Sequence, residues 1–301
     1  MFKKIISFSV LFLVLLNIPT IVLETLSISI SSPISYLLFS LLAFLIFTNK
    51  IKYPKTVYIL AITASLYFFI SALQYNGDYT LLIITYIKFH LYLFGLYIAI
   101  RNIDQNIILV FLFLGAVTIL LDSLYFRFND FQGVGYVSQY GRYSGFYLNP
   151  NTASMICLIG YALTITKENY WKSLSLAFSF LGFLTLSRTF MATWFLITLV
   201  YLFYNRKYIV KTSLILIVCA FSLFTFSKDL NLDADRFTFL TGLFSGSVDR
   251  EVLNNDSRQD QWAKFYTMIY ESPIIGNGYS SFTTSADGFG DAGVHNSFLL
   301  I

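Results

Sequence analysis

Long apolar runs, interrupted at short intervals by a few polar or basic residues, set the rhythm of this sequence as far as about residue 227. The runs are apolar on every side, which separates them from the one-striped helices of a soluble core. A helix needs roughly 20 mostly apolar residues to cross a hydrocarbon layer about 30 Å thick. About nine runs approach that length, near 5–23, 30–48, 57–75, 79–100, 107–125, 151–166, 173–187, 189–205 and 212–227. A further run begins near Asn296 and stops with the sequence at Ile301, so a chain cut short inside another span is expected. The pattern predicts an all-α polytopic membrane protein, a bundle of about nine to ten transmembrane helices.

Composition sharpens this picture. Hydrophobic residues make up 56% of the chain and charged residues 12%, with a mean hydropathy of +0.68. A soluble domain carries about twice that charged share. Met1 to Leu23 resembles a signal peptide, with Lys3 and Lys4 ahead of an apolar stretch. No small-residue cleavage site follows, so the stretch reads as a retained first span. The net charge of +4 does not point to nucleic acid, because the basic residues form no patch. Cys157 and Cys219 lie inside apolar runs and read as packing residues.

The basic residues instead fix an orientation. Lys3, Lys4, Lys50, Lys52, Lys55, Arg101, Lys167, Lys172, Arg206, Lys207 and Lys211 fall in one alternating set of loops, opposed there only by Asp104 and Glu168. By the positive-inside rule that set is cytoplasmic, as is the N-terminus. The domain division that follows is a helical bundle over 1–227, one large extracytoplasmic loop over 228–295, and the start of a further span over 296–301. The segment 173–205 has basic residues at both ends and must cross twice. About 16 residues per crossing reach only roughly 24 Å. Arg188, in the bend Ser187-Arg188-Thr189, should then sit at or below the outer surface, where an arginine needs a wet cavity or an anion.

Several motifs carry candidate chemistry. Ser257 and Asp260 form a capping box, and Trp262, Phe265, Tyr266 and Ile269 follow at helical spacing. Arg258 then occupies the first helical position, where free N–H groups and the dipole favour an anion. The alternative is a solvated arginine beside a helix lying on the membrane. In Gly141-Arg142-Tyr143-Ser144-Gly145-Phe146-Tyr147-Leu148-Asn149-Pro150-Asn151, Asn149 can cap and Pro150 can open the sixth span. His295, beside Asn296, is a natural general base near neutral pH, although a lone interfacial histidine is more often structural. His90 lies mid-span near Lys88, and Lys88 can equally pair with Asp122. Asp233-Ala234-Asp235 is a weak match to a metal-binding pattern, and nothing else in the sequence resembles a metal or cofactor site.

Taken in order, Arg142 in its motif, Arg188 in L-T-L-S-R-T, Arg258 in S-R-Q-D-Q-W, the stretch E-S-P-I-I-G-N-G-Y-S-S-F and His295 in H-N-S-F resemble the O-antigen ligase and O-antigen polymerase superfamily of bacterial envelope enzymes. The recognisable motifs cover roughly residues 130–301. The resemblance implies an all-helical, GT-C-like bundle of about a dozen spans, of which this sequence lacks the last two or three. It implies metal-independent glycosyl transfer, without a cofactor, on the outer face of the bacterial cytoplasmic membrane. The donor would be a glycan on undecaprenyl pyrophosphate. Arg188 and Arg258 would bind the pyrophosphate, and His295 would deprotonate or orient the acceptor hydroxyl. Arg142 and Asn296 would contact glycan or phosphate. The expected activity is repeat-unit polymerisation. Ligation of finished glycan to lipid A core or protein is the near alternative, and a transporter or lipid flippase the more distant one.

Overall fold

The structure is a computed structural model, and it describes residues 2–26, 28–74, 79–126, 143–167 and 170–206, together with Tyr270. The described residues are all-helical, 87% of them in helices, with no strand among them. In chain order the helices are α1 (Phe2–Leu15), α2 (Ile18–Thr25), α3 (Ile28–Thr48), α4 (Lys55–Gln74), α5 (Tyr79–Asn102) and α6 (Gln105–Leu121). A π turn (Asp122–Phe126) and a 3-10 turn (Gly145–Tyr147) follow, and then α7 (Pro150–Thr164), α8 (Tyr170–Leu184) and α9 (Arg188–Tyr204). Among the described residues, three stretches are long and apolar enough to cross a membrane by length and composition: Ile28–Thr48, Leu82–Asn102 and Gln105–Leu124. Lys55–Ile70, Ser173–Leu184 and Arg188–Tyr204 are shorter apolar helices.

The first eight apolar runs of the sequence all fall on helices. The ninth, 212–227, lies outside the described residues, as do 296–301 and the whole of 228–295 except Tyr270, which is helical and exposed. The first run corrects the expectation of one continuous helix over 5–23. It is two helices, α1 and α2, broken at Asn17, whose backbone is left-handed at φ 53°. Asparagine is among the few residues that visit this region at modest cost. Pro19, in the first turn of α2, has no N–H to continue a helix from upstream but suits a helix start.

The chain divides into two compact units, one formed by 1–41 with 99–244 and the other by 42–98 with 245–301. In the first unit, Val10, Leu11, Leu109, Leu112, Ile119, Phe178, Leu184 and Phe190 are fully buried. Glycines allow the helices to approach. A side chain at Gly160 would overlap the Phe178 ring, and one at Gly182 the Phe190 ring. Small residues at such crossings are how apolar helices gain contact when lipid removes the hydrophobic drive. Hydrogen bonds between helices add to this. Tyr161 Oη and Thr198 Oγ1 lie 2.6 Å apart, and Trp194 Nε1 donates to Ser179 Oγ at 2.8 Å. Near the other end of α6, Asn102 Nδ2 donates to Ser7 Oγ at 3.1 Å.

The second unit holds α4 with most of α5 and the end of α3. Gly95 packs on Leu42, where a Cβ would come within 2.7 Å of a side-chain carbon. In the short connection between α3 and α4, Tyr53 stands edge-on to Phe94 at 4.9 Å and near Tyr97 at 5.6 Å. Burial, with Tyr58 and Tyr97 close by, raises the pKa of the Tyr53 phenol. Large apolar side chains are exposed along α4 and α5, among them Ile59, Ile62, Leu66, Phe69, Ile83 and Ile87.

Candidate functional site

The polar chemistry of the first unit gathers where four segments meet: the α1–α2 break, the end of α6, residues 143–149 and the α8–α9 turn. Residues 143–149 form a strap held from several sides. Asp122, fully buried at the junction of α6 and the π turn, accepts hydrogen bonds from the backbone N–H groups of Ser144 and Gly145, both at 2.9 Å. A carboxylate facing two amides makes strong, charge-assisted bonds. Thr118 Oγ1 accepts from Phe146 N at 3.1 Å and donates to Gly115 O at 2.7 Å. Gly145 sits at φ 54° directly against Thr118, so it supplies both the backbone conformation and the space.

The strap in turn closes the break in the first run. Tyr147 Oη donates to Leu15 O at 2.6 Å, and Asn17 Nδ2 donates to Phe146 O at 3.0 Å. A helix that stops leaves carbonyls without partners, and within a membrane each such group is costly. Tyr147 fills that vacancy at the end of α1. Burial, and secondarily the nearby Cys157 thiol, pushes its phenol well above the usual range, so it stays a donor. Gly115 is the glycine that makes room, since a Cβ there would overlap the Tyr147 hydroxyl.

Beyond the strap, two helix starts converge. Asn149 caps α7, its side chain accepting from Asn151 N at 2.8 Å, and Pro150 takes the first turn. Both are where the sequence predicts them. Ser187 caps α9, its side chain accepting from Phe190 N at 3.4 Å, while Leu186 turns the chain at φ 45°. The two starts are joined by Ser187 Oγ donating to Asn151 Oδ1 at 3.2 Å. Tyr143 N donates to Leu184 O at 3.3 Å, tying the strap to the same turn. Arg188 is the first residue of α9 and is exposed, one residue past the turn itself. Asn151, Thr152 and Thr189 are exposed beside it.

Two helix starts and the Arg188 guanidinium lie on one side of the strap, with the buried Asp122 carboxyl holding it from another. Each helix start carries a partial positive charge of about half an electron, and Arg188 adds a full one. The strap of the G-R-Y-S-G-F-Y-L-N-P-N motif and the Arg188 motif, 36 residues apart at their Asn151–Ser187 contact, are thereby brought together. Arg142, Arg258, His295 and Asn296 lie outside the described residues, as do the Ser257–Asp260 capping box, Asp233, Asp235 and Cys219. Sequence reasoning missed Asp122 as an anchor, and it missed the exposed hydroxyls of Thr152 and Thr189. The threonines were legible in principle, since each stands in the first turn of a helix. Among the described residues no group of three or more His, Cys, Asp or Glu is placed to hold a metal. No protein-family model matches the chain, and no curated protein or solved structure does either.

Proposed function

We propose that this chain is a membrane glycosyltransferase that extends a polysaccharide on the outer face of the bacterial cytoplasmic membrane, drawing on a glycan linked to undecaprenyl pyrophosphate. In this reading its apolar runs make a GT-C-like bundle of nine to ten spans with the N-terminus in the cytoplasm and the loop 228–295 outside. The observation that carries the proposal is the junction of two capped helix starts at Ser187 and Asn151, with Arg188 exposed upon it. A pyrophosphate leaving group is what such an arrangement suits. As the bond from the anomeric carbon to the pyrophosphate breaks, charge grows on the departing oxygens, and a guanidinium with two helix dipoles offsets it without a metal. Arg258 is the second guanidinium of the reading. His295 takes the proton from the acceptor hydroxyl as its oxygen bonds to the anomeric carbon. Arg142, which directly precedes the strap at Tyr143, and Asn296 contact glycan or phosphate.

The test is transfer by purified full-length protein given lipid-linked repeat unit, with chelator present. Arg188→Ala should lower the rate by about 100-fold or more, the scale of losing one donor to a developing oxyanion. Wild-type rates in that variant would remove Arg188 from the site. A deletion strain separates the two glycan readings, since accumulated single repeats mean polymerase and long unlinked chains mean ligase to lipid A core or protein. Counterflow of substrate in proteoliposomes without any transfer would replace both with a transporter or flippase.

A further inference from the structure

The connection between α3 and α4 carries a feature that glycosyl transfer does not use. Residues 49–54 are neither helix nor strand, and their exposure alternates: Lys50 and Lys52 are exposed, while Ile51 and Tyr53 are half-buried. That alternation is the one an extended segment gives. Aromatic contacts fix the inward side. The Tyr53 ring meets Phe94 at 4.9 Å, Tyr97 at 5.6 Å and Tyr58 at 6.0 Å. The end of α3 is tied as well, with Asn49 Nδ2 donating to Leu45 O at 2.8 Å and Thr48 Oγ1 donating to Phe44 O at 2.7 Å. The outward side is therefore a held ridge, on which Lys50 and Lys52 are followed by Lys55 at the first position of α4.

Charge on this ridge is of one sign. Lys50, Lys52 and Lys55 are all exposed, and among the described residues none of them has a hydrogen bond or ion pair. Between residues 42 and 98 the sequence has one acidic residue, Asp78, which lies outside the described residues. Large rings flank the lysines: Phe47 in the last turn of α3 is 86% exposed, and Tyr58 in the first turn of α4 is 49% exposed. α3 is long and apolar enough to cross a membrane, so the ridge begins where that helix would leave the hydrocarbon. Aromatic rings with lysines just beyond an apolar span mark the level of lipid headgroups. A soluble anion would have no use for the rings. A phospholipid uses both, its phosphate meeting the ammonium groups and the top of its acyl chains lying against Phe47 and Tyr58. We propose that Lys50, Lys52 and Lys55, with Phe47 and Tyr58 beside them, form a binding surface for the headgroup of an anionic phospholipid. The lysines then hold a ligand, in addition to orienting the chain.

Photo-crosslinking of the full-length protein in phosphatidylcholine vesicles tests this. The probes are traces of phosphatidylglycerol or phosphatidylcholine with a diazirine at the top of one acyl chain, and peptide mass spectrometry locates the label. The phosphatidylglycerol probe should label the segment 47–58 about tenfold or more above the phosphatidylcholine probe, since each lysine near an anionic headgroup is worth about a factor of five. Unlabelled phosphatidylglycerol should suppress that labelling, and inorganic phosphate in the buffer should not. Replacing all three lysines (Lys50→Gln, Lys52→Gln and Lys55→Gln) should bring the two probes level, whereas Lys50→Arg, Lys52→Arg and Lys55→Arg together should keep the preference. Equal labelling by the two probes in the wild type, suppression by inorganic phosphate, or a preference that survives the glutamine variant would each overturn the site. The wild-type protein alone decides the first two, so the outcome does not depend on the variants folding.

Discussion

α6 and α5 are both long, apolar helices, yet they solve different problems. Half of the most apolar window of Gln105–Leu124 is buried inside the protein, against 17% for Leu82–Asn102. α6 belongs to the first unit, where it receives the strap and ends on a buried carboxylate. α5 lies largely in the second unit and turns Ile83, Ile84, Ile87 and Phe89 outward. Hydropathy alone does not distinguish them. What separates them is where their polar groups go: α6 presents Thr118, and at its end Asp122, to another segment's backbone, whereas Asn102 at the end of α5 bonds the side chain of Ser7. An apolar helix becomes an anchor when it carries the few polar groups that other segments need, and otherwise it is a wall.

If that contrast is right, substitutions should fall in a clear order. Asp122→Ala should have the largest effect, because it leaves the buried N–H groups of Ser144 and Gly145 without an acceptor. The expected loss is about 2–5 kcal/mol, seen as a large drop in the thermal midpoint of the purified protein, with Asp122→Asn costing less because it keeps an oxygen in place. Equal midpoints for wild type and Asp122→Ala would dissolve the distinction between the units. Tyr147→Phe comes next. It deletes the bond to Leu15 O while keeping the ring, and about 1 kcal/mol should be lost. Leu66→Ala, on the outward face of α4, is the smallest, and a midpoint within about 0.5 kcal/mol of wild type is expected. A loss of several kcal/mol there would mean that this face packs against protein.

The sequence reading succeeded where the signal was local. Apolar runs map onto helices because each helix satisfies its own backbone, and the cap at Asn149 with Pro150 needs only neighbours in the chain. It failed where partners are distant. Nothing near Asn17 announces that its amide reaches Phe146, 129 residues on, and nothing near Asp122 announces two amides 22 and 23 residues away. The break in the first run was hidden for the same reason: Pro19 permits it, but Tyr147 and the strap make it stable. Leu148 and Leu186, both with positive φ, were equally illegible, since leucine gives no hint of a left-handed turn. Of the candidate site, the sequence reading put Arg188 in a bend, whereas it opens α9 behind the Ser187 cap, and its nearness to the start of α7 depended on the fold.

The divided first run has a mechanical consequence. A continuous helix can slide along its axis to suit a thicker or thinner bilayer, but this one is clamped at mid-length by Tyr147 and Asn17. Sliding would strip both of these polar contacts. Under the proposed function, a change of bilayer thickness would then be met by tilting α1 and α2 independently about Asn17, each at modest cost.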